Sequence, residues 1–449
     1  MSSEWARDAI FYHIYPLGLC GAPHHNDFQS SSVARLEVLF NWLDHIQNLG
    51  ANAIYLGPVF ESTAHGYDTA DYFHVDRRLG TNDTLKNLIG EMKQRGFRVV
   101  LDGVFNHVGR DFWAFQDVVQ RGQQSAYCSW FCNLNFGQQS PYGDAFTYEG
   151  WAGHYDLVKL NLANDAVRQH LFDAVTFWIE TFDIDGLRLD AADSIEPAFF
   201  QALRQHTHQH KADFWLMGEV VHGDYRLWAN ETRLDATTNY ECYKGLYSSH
   251  LDRNYFEIAY ALNRQSGADG IYRDLLLYNF ADNHDVNRVA SNLTNPAHLY
   301  TLYGLLFTMP GIPSIYYGSE WGLDGRRTQT SDAALRPALH LPPEHIPHPH
   351  LYDAIRRFAR VRHTTPALKV GRYEQRYIAH EQFAFERATD EQTVLVLLNA
   401  SAQEATIPLE GVKHNRFIDV LNQDGFFEAH NGRASIRVPS HWLRILKAI

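Results

Sequence analysis

The chain has 449 residues, 45% of them hydrophobic and 20% charged, with a formal net charge of −13 at pH 7. That length accommodates one large catalytic domain and a smaller one, and the acidic balance excludes nucleic acid and anionic membrane surfaces as partners. No run of about 18 apolar residues is present, which excludes a membrane-spanning helix and leaves a neutral substrate as the expected ligand class.

The first residues, Met1-Ser2-Ser3-Glu4-Trp5-Ala6-Arg7, lack the apolar stretch of a signal peptide. The expected compartment is the cytoplasm, with a mature secreted fragment as the alternative. Ala9 to Tyr15 reads as a first strand. Val33 to Leu49 has apolar residues at helical spacing and stops at Gly50. Ala53 to Leu56 reads as a second strand, Asn82 to Gly96 as a helix capped by Asn82 or Thr84, and Phe97 to Val104 as a third strand.

The rhythm then breaks. Residues 109–160 show no clear period, and aromatic residues are dense between Phe112 and Tyr155. An irregular stretch of this length inside a regular fold is usually functional, and aromatic faces suit the apolar faces of sugar rings. Alternation resumes with a helix over Asp165 to Phe182 and a strand over Ile184 to Asp190. A helix over Glu196 to Lys211 and strands over Phe214 to Glu219, Leu234 to Thr238, Leu275 to Ala281 and Gly311 to Tyr317 follow. Beyond about 366 the pattern becomes short strands separated by turns, as at 382–387, 393–399 and 435–438.

Eight short apolar runs alternating with helical segments predict a (β/α)8 barrel. The expected organisation is a barrel over 1–108 and 161–366, a domain B excursion over 109–160 after strand three, and a C-terminal antiparallel β-sandwich domain over 367–449. The four cysteines Cys20, Cys128, Cys132 and Cys242 offer one close pair and no second pair with metal-ligand spacing. They read as free structural thiols.

Four acidic residues sit at or just after the ends of four apolar runs: Asp102, Asp190, Glu219 and Asp285. Alone, an Asp at a strand end is usually a cap or an ion-pair partner. Together, on one barrel, they converge on the C-terminal face where barrel chemistry gathers. Paired carboxylates are the tool for glycosidic bond cleavage. Arg188 stands two residues before Asp190, so both point to one side of the strand. A guanidinium there lowers a carboxyl pKa, which makes Asp190 the expected ionised nucleophile. Glu219 is the candidate acid, Asp285 a candidate stabiliser of positive charge, and His107 and His284 are candidate donors to sugar hydroxyls.

Asp102-Gly103-Val104-Phe105-Asn106-His107, Gly186-Leu187-Arg188-Leu189-Asp190-Ala191-Ala192-Asp193, Gly218-Glu219-Val220-Val221 and Phe280-Ala281-Asp282-Asn283-His284-Asp285 resemble, in order, the four signature regions of the α-amylase superfamily, glycoside hydrolase family 13. His65 to Tyr72 and Gly311 to Gly318 add supporting matches. The resemblance implies Asp190 as nucleophile, Glu219 as acid/base and Asp285 as transition-state stabiliser. It implies Arg188, His107, His284 and the stacking platform Tyr67 as glucose-binding residues, and Asp102 as a supporting residue. It pairs Asp332 with Arg336 at the next sugar.

Leu157-Val158-Lys159-Leu160-Asn161 resembles an element of the cyclomaltodextrinase, neopullulanase and oligosaccharide-hydrolase branch, with its first two residues departing from it. Ala192-Asp193 stands where starch-cleaving members often carry Lys-His. The extra N-terminal β domain that helps cyclomaltodextrinases dimerise is not found ahead of the first strand, so a homodimer stays open. The family's calcium site would draw on Asn106 and domain B acids. No cofactor is required by this reading, and calcium is left open.

The expected function is a retaining α-glucoside hydrolase on short linear or cyclic malto-oligosaccharides, of the cyclodextrin or cyclic maltosyl-maltose type. The rivals are a transglycosylase or a starch-cleaving endo α-amylase on the same scaffold. From another class, the rival is a non-catalytic relative, against which the intact acids speak.

Overall fold

The computed structural model describes residues 3–449. Three strands open the chain: β1 (Phe11–Ile14), β2 (Ala53–Leu56) and β3 (Arg98–Gly103). An excursion follows with β4 (His107–Gly109), β5 (Gly150–Trp151) and β6 (His154–Lys159). Then come β7 (Gly186–Leu189), β8 (Trp215–Gly218), β9 (Ala236–Thr237), β10 (Tyr278–Phe280) and β11 (Ile312–Tyr316).

Eight of these form one sheet in the order β10-β11-β1-β2-β3-β7-β8-β9. All its pairs are parallel. A parallel bridge from Thr238 to Tyr278 joins the two ends and closes the barrel. Closure leaves no edge, so every strand is buried on both faces and shows a continuous apolar run. Side chains still alternate. Phe11, Tyr55, Val100, Trp215, Met217, Tyr278 and Phe280 pack with one another inside the barrel. Tyr12, Ile54, Val99, Leu101, Leu187 and Leu189 pack outward against the helices. Gly186 lies on the inner face, where an added Cβ would meet the Trp215 carbonyl at 2.4 Å. At the N-terminal end, the turn Glu4–Asp8 plugs the barrel with Trp5, whose ring lies 5.8 Å from Trp215.

The same alternation carries upward to the other end. Asp102 continues the inner row of Val100, and Arg188 and Asp190 continue that of Gly186. The barrel's inner face thus passes from apolar at its centre to ionised at its C-terminal rim.

Local details differ from the sequence expectation in three places. Thr81, not Asn82 or Thr84, caps the helix Asn82–Gln94: its side chain accepts from Thr84 N, and Thr84 Oγ1 accepts in return from Thr81 N. Residues 35–42 wind as a 3-10 helix before the α-helix Leu43–Leu49 begins, and Gly50 ends it at φ 98°. The excursion holds an unexpected helix, Trp113–Arg121, beside the antiparallel sheet β4-β6-β5. Its short amphipathic pattern was masked by the aromatic residues around it.

After the barrel come the helix Pro349–His363 and eight antiparallel strands: β12 (Arg372–Ile378), β13 (Gln382–Ala388), β14 (Thr393–Asn399), β15 (Ala405–Glu410), β16 (Arg416–Asp419), β17 (Phe426–Glu428), β18 (Arg433–Val438) and β19 (Trp442–Ala448). Six form the sheet β12-β13-β14-β19-β16-β17, and β15 pairs with β18. Ile407, Leu409 and Ile436 pack against Leu395, Leu397 and Leu446 between the two sheets. All four cysteines are free, and no described helix is long and apolar enough to cross a membrane.

Candidate active site

Arg188 is the hub. Its Nη1 donates to Asp102 at 2.9 and 3.1 Å and to Asp190 Oδ1 at 2.8 Å, while Nη2 lies 2.7 Å from Glu219 Oε2. One guanidinium thus gathers carboxylates from the ends of β3, β7 and β8. The fourth acid, Asp285, follows β10. Its Oδ1 accepts from Arg336 Nη2 at 3.0 Å, and its Oδ2 lies 2.9 Å from His284 Nε2.

Exposure separates the four. The Asp102 side chain is 0% exposed, against 11% for Asp190, 14% for Glu219 and 30% for Asp285. Asp102 is also saturated, accepting from Tyr55 OH at 2.7 Å and Tyr67 OH at 3.0 Å besides Arg188. It orders the site from below, and the other three face the opening.

Electrostatics pushes two of the acids in opposite directions. Burial raises the Asp190 carboxyl well above the usual carboxylate range. Arg188 opposes this, and Glu219, Asp102 and Asp285 add to it. This corrects the expectation that Arg188 alone would hold Asp190 low. Arg188, which also binds two other carboxylates, does not offset the burial of Asp190. Burial works against Asp285 too, but His284, Arg336 and Arg188 hold its carboxyl well below the usual range.

The remaining expected residues join the same network. Tyr67 OH bridges Asp102 and His284 Nε2, and the two rings stack at 5.4 Å. Asp68 shapes the loop under Tyr67 by accepting from the amides of Ala64, His65 and Gly66 at 2.7, 3.1 and 3.1 Å. His107 Nε2 lies 3.7 Å from Asp190 Oδ2 and has no hydrogen-bond partner. Burial pushes His107 down to about 3, so it is neutral and free to meet a hydroxyl. Arg336 pairs with Asp332 at 2.8 Å and donates Nε to the His284 carbonyl at 3.0 Å.

Three tyrosines were not anticipated. Tyr15 also stacks on His284, at 5.7 Å, and lies under the Arg336 guanidinium at 4.6 Å. Tyr55 supports Asp102. Tyr240 OH donates to Glu219 Oε1 at 3.2 Å. Tyr15 and Tyr240 directly follow β1 and the β9 segment, at the barrel face where the acids were sought, and that position was the available signal.

Of the domain B tryptophans Trp113, Trp130 and Trp151, only the last stands at the site. Trp151, at the β5–β6 hairpin tip, stands 5.5 Å from the His107 ring and donates Nε1 to Ser194 Oγ at 3.3 Å. Trp113 and Trp130 instead pack against each other and against His170 of the barrel helix Asp165–Phe182 at 5.5 to 5.7 Å, with Trp113 left exposed.

The residues present do not fit a calcium site at Asn106. Among the described residues no group of three or more carboxylate, His or Cys side chains gathers there, and the domain B acids Asp144 and Glu149 are engaged by Arg110 and Lys159 at 2.8 and 2.7 Å.

Residues 25–340 match the family of the alpha amylase catalytic domain, and residues 374–445 that of the maltogenic amylase C-terminal domain. The chain belongs to the α-amylase family. Its relatives there include a cyclomaltodextrinase from a Bacillus species, 31% identical over 88% of this chain and 73% of that protein. An intracellular maltogenic amylase from Bacillus subtilis is 32% identical over 72% of this chain and 57% of that one. Among solved structures, the ligand-free cyclic α-maltosyl-(1→6)-maltose hydrolase from Arthrobacter globiformis superposes with a TM-score of 0.83 at 27% identity, covering 99% of this chain and 100% of that one. The protein is thus a glycoside hydrolase of the α-amylase family.

Proposed function

We propose that the protein is a retaining hydrolase of α-1,4 bonds in short linear or cyclic malto-oligosaccharides, acting in the cytoplasm. One observation carries the mechanism. Asp190 and Glu219 bind the two Nη atoms of a single guanidinium, at 2.8 and 2.7 Å. Carboxyl groups tied this closely suit direct attack, which needs a separation of about 5–5.5 Å, better than an inverting site with a water between them.

Asp190 attacks the anomeric carbon as Glu219 protonates the departing oxygen, leaving a glucosyl ester on Asp190. Glu219, now a carboxylate, takes a proton from water, and the hydroxide equivalent opens the ester with the original anomeric configuration restored. Asp285, held ionised by His284 and Arg336, faces the positive charge that builds on the ring. His107, His284 and Arg188 offer donors to the hydroxyls.

Substrate size and linkage come from the surroundings. Trp151 overhangs His107 and bonds to Ser194, so the domain B hairpin reaches across the rim and supports a pocket over an open groove. The relatives named for cyclic and short maltosyl substrates agree with that shape, and the relative named intracellular agrees with the compartment.

The test is a product profile over maltotriose, a cyclodextrin, pullulan, sucrose and soluble starch, with the anomeric form of the product followed by NMR. Initial release of the α-anomer from short substrates is expected. Initial β-anomer would overturn the retaining mechanism, and transfer products exceeding glucose and maltose at low substrate concentration would favour a transglycosylase.

A further inference from the structure

On the outside of the barrel, far along the chain from the catalytic acids, a recess of about 520 Å³ lies between the end of the helix Leu43–Leu49 and the helix Pro349–His363. Its lining includes Arg356, Arg357, Arg360, His363, Asn48 and Asp353. We propose that this recess binds the phosphate group of a small anionic molecule.

The charge arrangement carries the inference. Arg356 and Arg360 stand four residues apart on one helix face, where like charges repel. Among the described residues, neither has a carboxylate within ion-pair distance or a side-chain hydrogen bond. Arg357 bonds only neutral groups, the Leu421 carbonyl at 3.0 Å and Asn422 Oδ1 at 3.4 Å. Some exposed arginines of this chain face carboxylates, as Arg372 faces Asp390, and others such as Arg327 and Arg416 stand singly; here three guanidiniums line one recess. Basic residues in a last helical turn complement the helix dipole. That accounts for Arg360 and His363, but not for Arg356 a turn earlier.

The geometry favours a tetrahedral oxyanion. Planar guanidiniums bind phosphate through paired N–H donors, and the cations here match a dianion better than a single carboxylate. His363 gives Nε2 to the Gly50 carbonyl at 2.7 Å, which fixes its ring against the recess wall. Asp353 and the Asn48 amide add acceptors, which suit the hydroxyls of a phosphate ester.

The test uses the whole protein. Calorimetric titration and thermal melts are run with inorganic phosphate and with glucose 6-phosphate, against sodium chloride at equal ionic strength. Saturable binding with a raised melting temperature is expected. Tighter binding of the hexose phosphate assigns the site to an ester, and equal binding assigns it to free phosphate. Arg356→Gln with Arg360→Gln should weaken binding by about tenfold or more, which is ~1.4 kcal/mol, while hydrolysis of maltotriose stays unchanged. The single variants Arg356→Gln and Arg360→Gln stand in if the pair folds poorly. Phosphate effects no larger than those of chloride, or variants that bind as tightly as the parent, would overturn the proposal.

Discussion

Arg188 donates to Asp190 from two residues away on the same strand, at 2.8 Å, yet the Asp190 carboxyl sits above the usual range while Asp285, bound by Arg336 at 3.0 Å, sits well below it. The difference lies in the number of cationic partners on each carboxyl. Arg188 also serves Asp102 and Glu219, whereas Asp285 has His284 and Arg336 on separate oxygens.

Linkage then gives two variants opposite stabilities. For Asp190, a raised folded pKa means that stability is lost as pH rises from the unfolded value of ~3.9 through the folded one. Asp190→Asn avoids that loss. For Asp285, a depressed folded pKa contributes stability above ~3.9, lost as pH falls through the folded value. We expect Asp190→Asn to melt at or above the parent temperature at pH 7, and Asp285→Asn to melt below it by a margin that shrinks below about pH 4. Both should lose about a thousandfold or more in turnover, ~4 kcal/mol of transition-state stabilisation. Thermal melts between pH 3 and 8 check the signs. A clear drop in melting temperature for Asp190→Asn would show that Arg188 dominates after all.

The acid is separable from the nucleophile by its leaving group. Glu219→Gln keeps the size of the side chain and its contact with Tyr240 but removes the proton source. It should fall by about a thousandfold on maltotriose and retain a large part of its rate on glucosyl fluoride, which needs little protonation. Steady-state rates on the two substrates decide this. Equal losses on both would remove Glu219 from the acid role.

The barrel was readable because its strands are buried on both faces, so their apolar runs stand out and the acids punctuate them. Helices whose stripe is plain, such as Asp165–Phe182, matched to the residue. The helix His298–Thr308 is buried nearly all round, so it shows no stripe, and Tyr240–Leu251 carries a glycine, two serines and a histidine among its buried positions. C-terminal strands as short as β17, with three residues, leave no period to be seen. At the site, residues announced by charge were found. Tyr15, Tyr55 and Tyr240 were not, since a tyrosine in a barrel reads equally well as core.

Ala191 adopts φ 45° and ψ 42°, a left-handed conformation that turns its N–H onto Glu219 Oε2 at 3.2 Å. A β-branched side chain is poorly tolerated there. Ala191→Val should lose stability by about 1–3 kcal/mol, and Ala191→Gly should not. The parent should cut α-1,4 bonds faster than α-1,6 bonds, as its resemblance to oligosaccharide hydrolases with alanine after the nucleophile implies. Panose offers both bonds in one molecule. Faster release at its α-1,6 bond would contradict the expectation.

We expect Trp151 to set the size of substrate the site accepts. Its ring lies 5.5 Å from His107, and its hydrogen bond to Ser194 ties the hairpin tip to the loop after the nucleophile strand. That bridge narrows the rim and offers an aromatic face to a curved or short glucan, while a long helical polymer meets a barrier. The parent's kcat/KM for a cyclodextrin or maltotriose should exceed that for soluble starch, per cleavable bond, by about tenfold or more, needing only ~1.4 kcal/mol. Trp151→Ala removes both the platform and the bridge, so the ratio should collapse, with KM for short substrates rising more than kcat falls. Kinetics of the two proteins on the same substrates measure this. If the parent already thins starch as efficiently as it opens short substrates, the rim is a groove and Trp151 is only a packing residue of domain B.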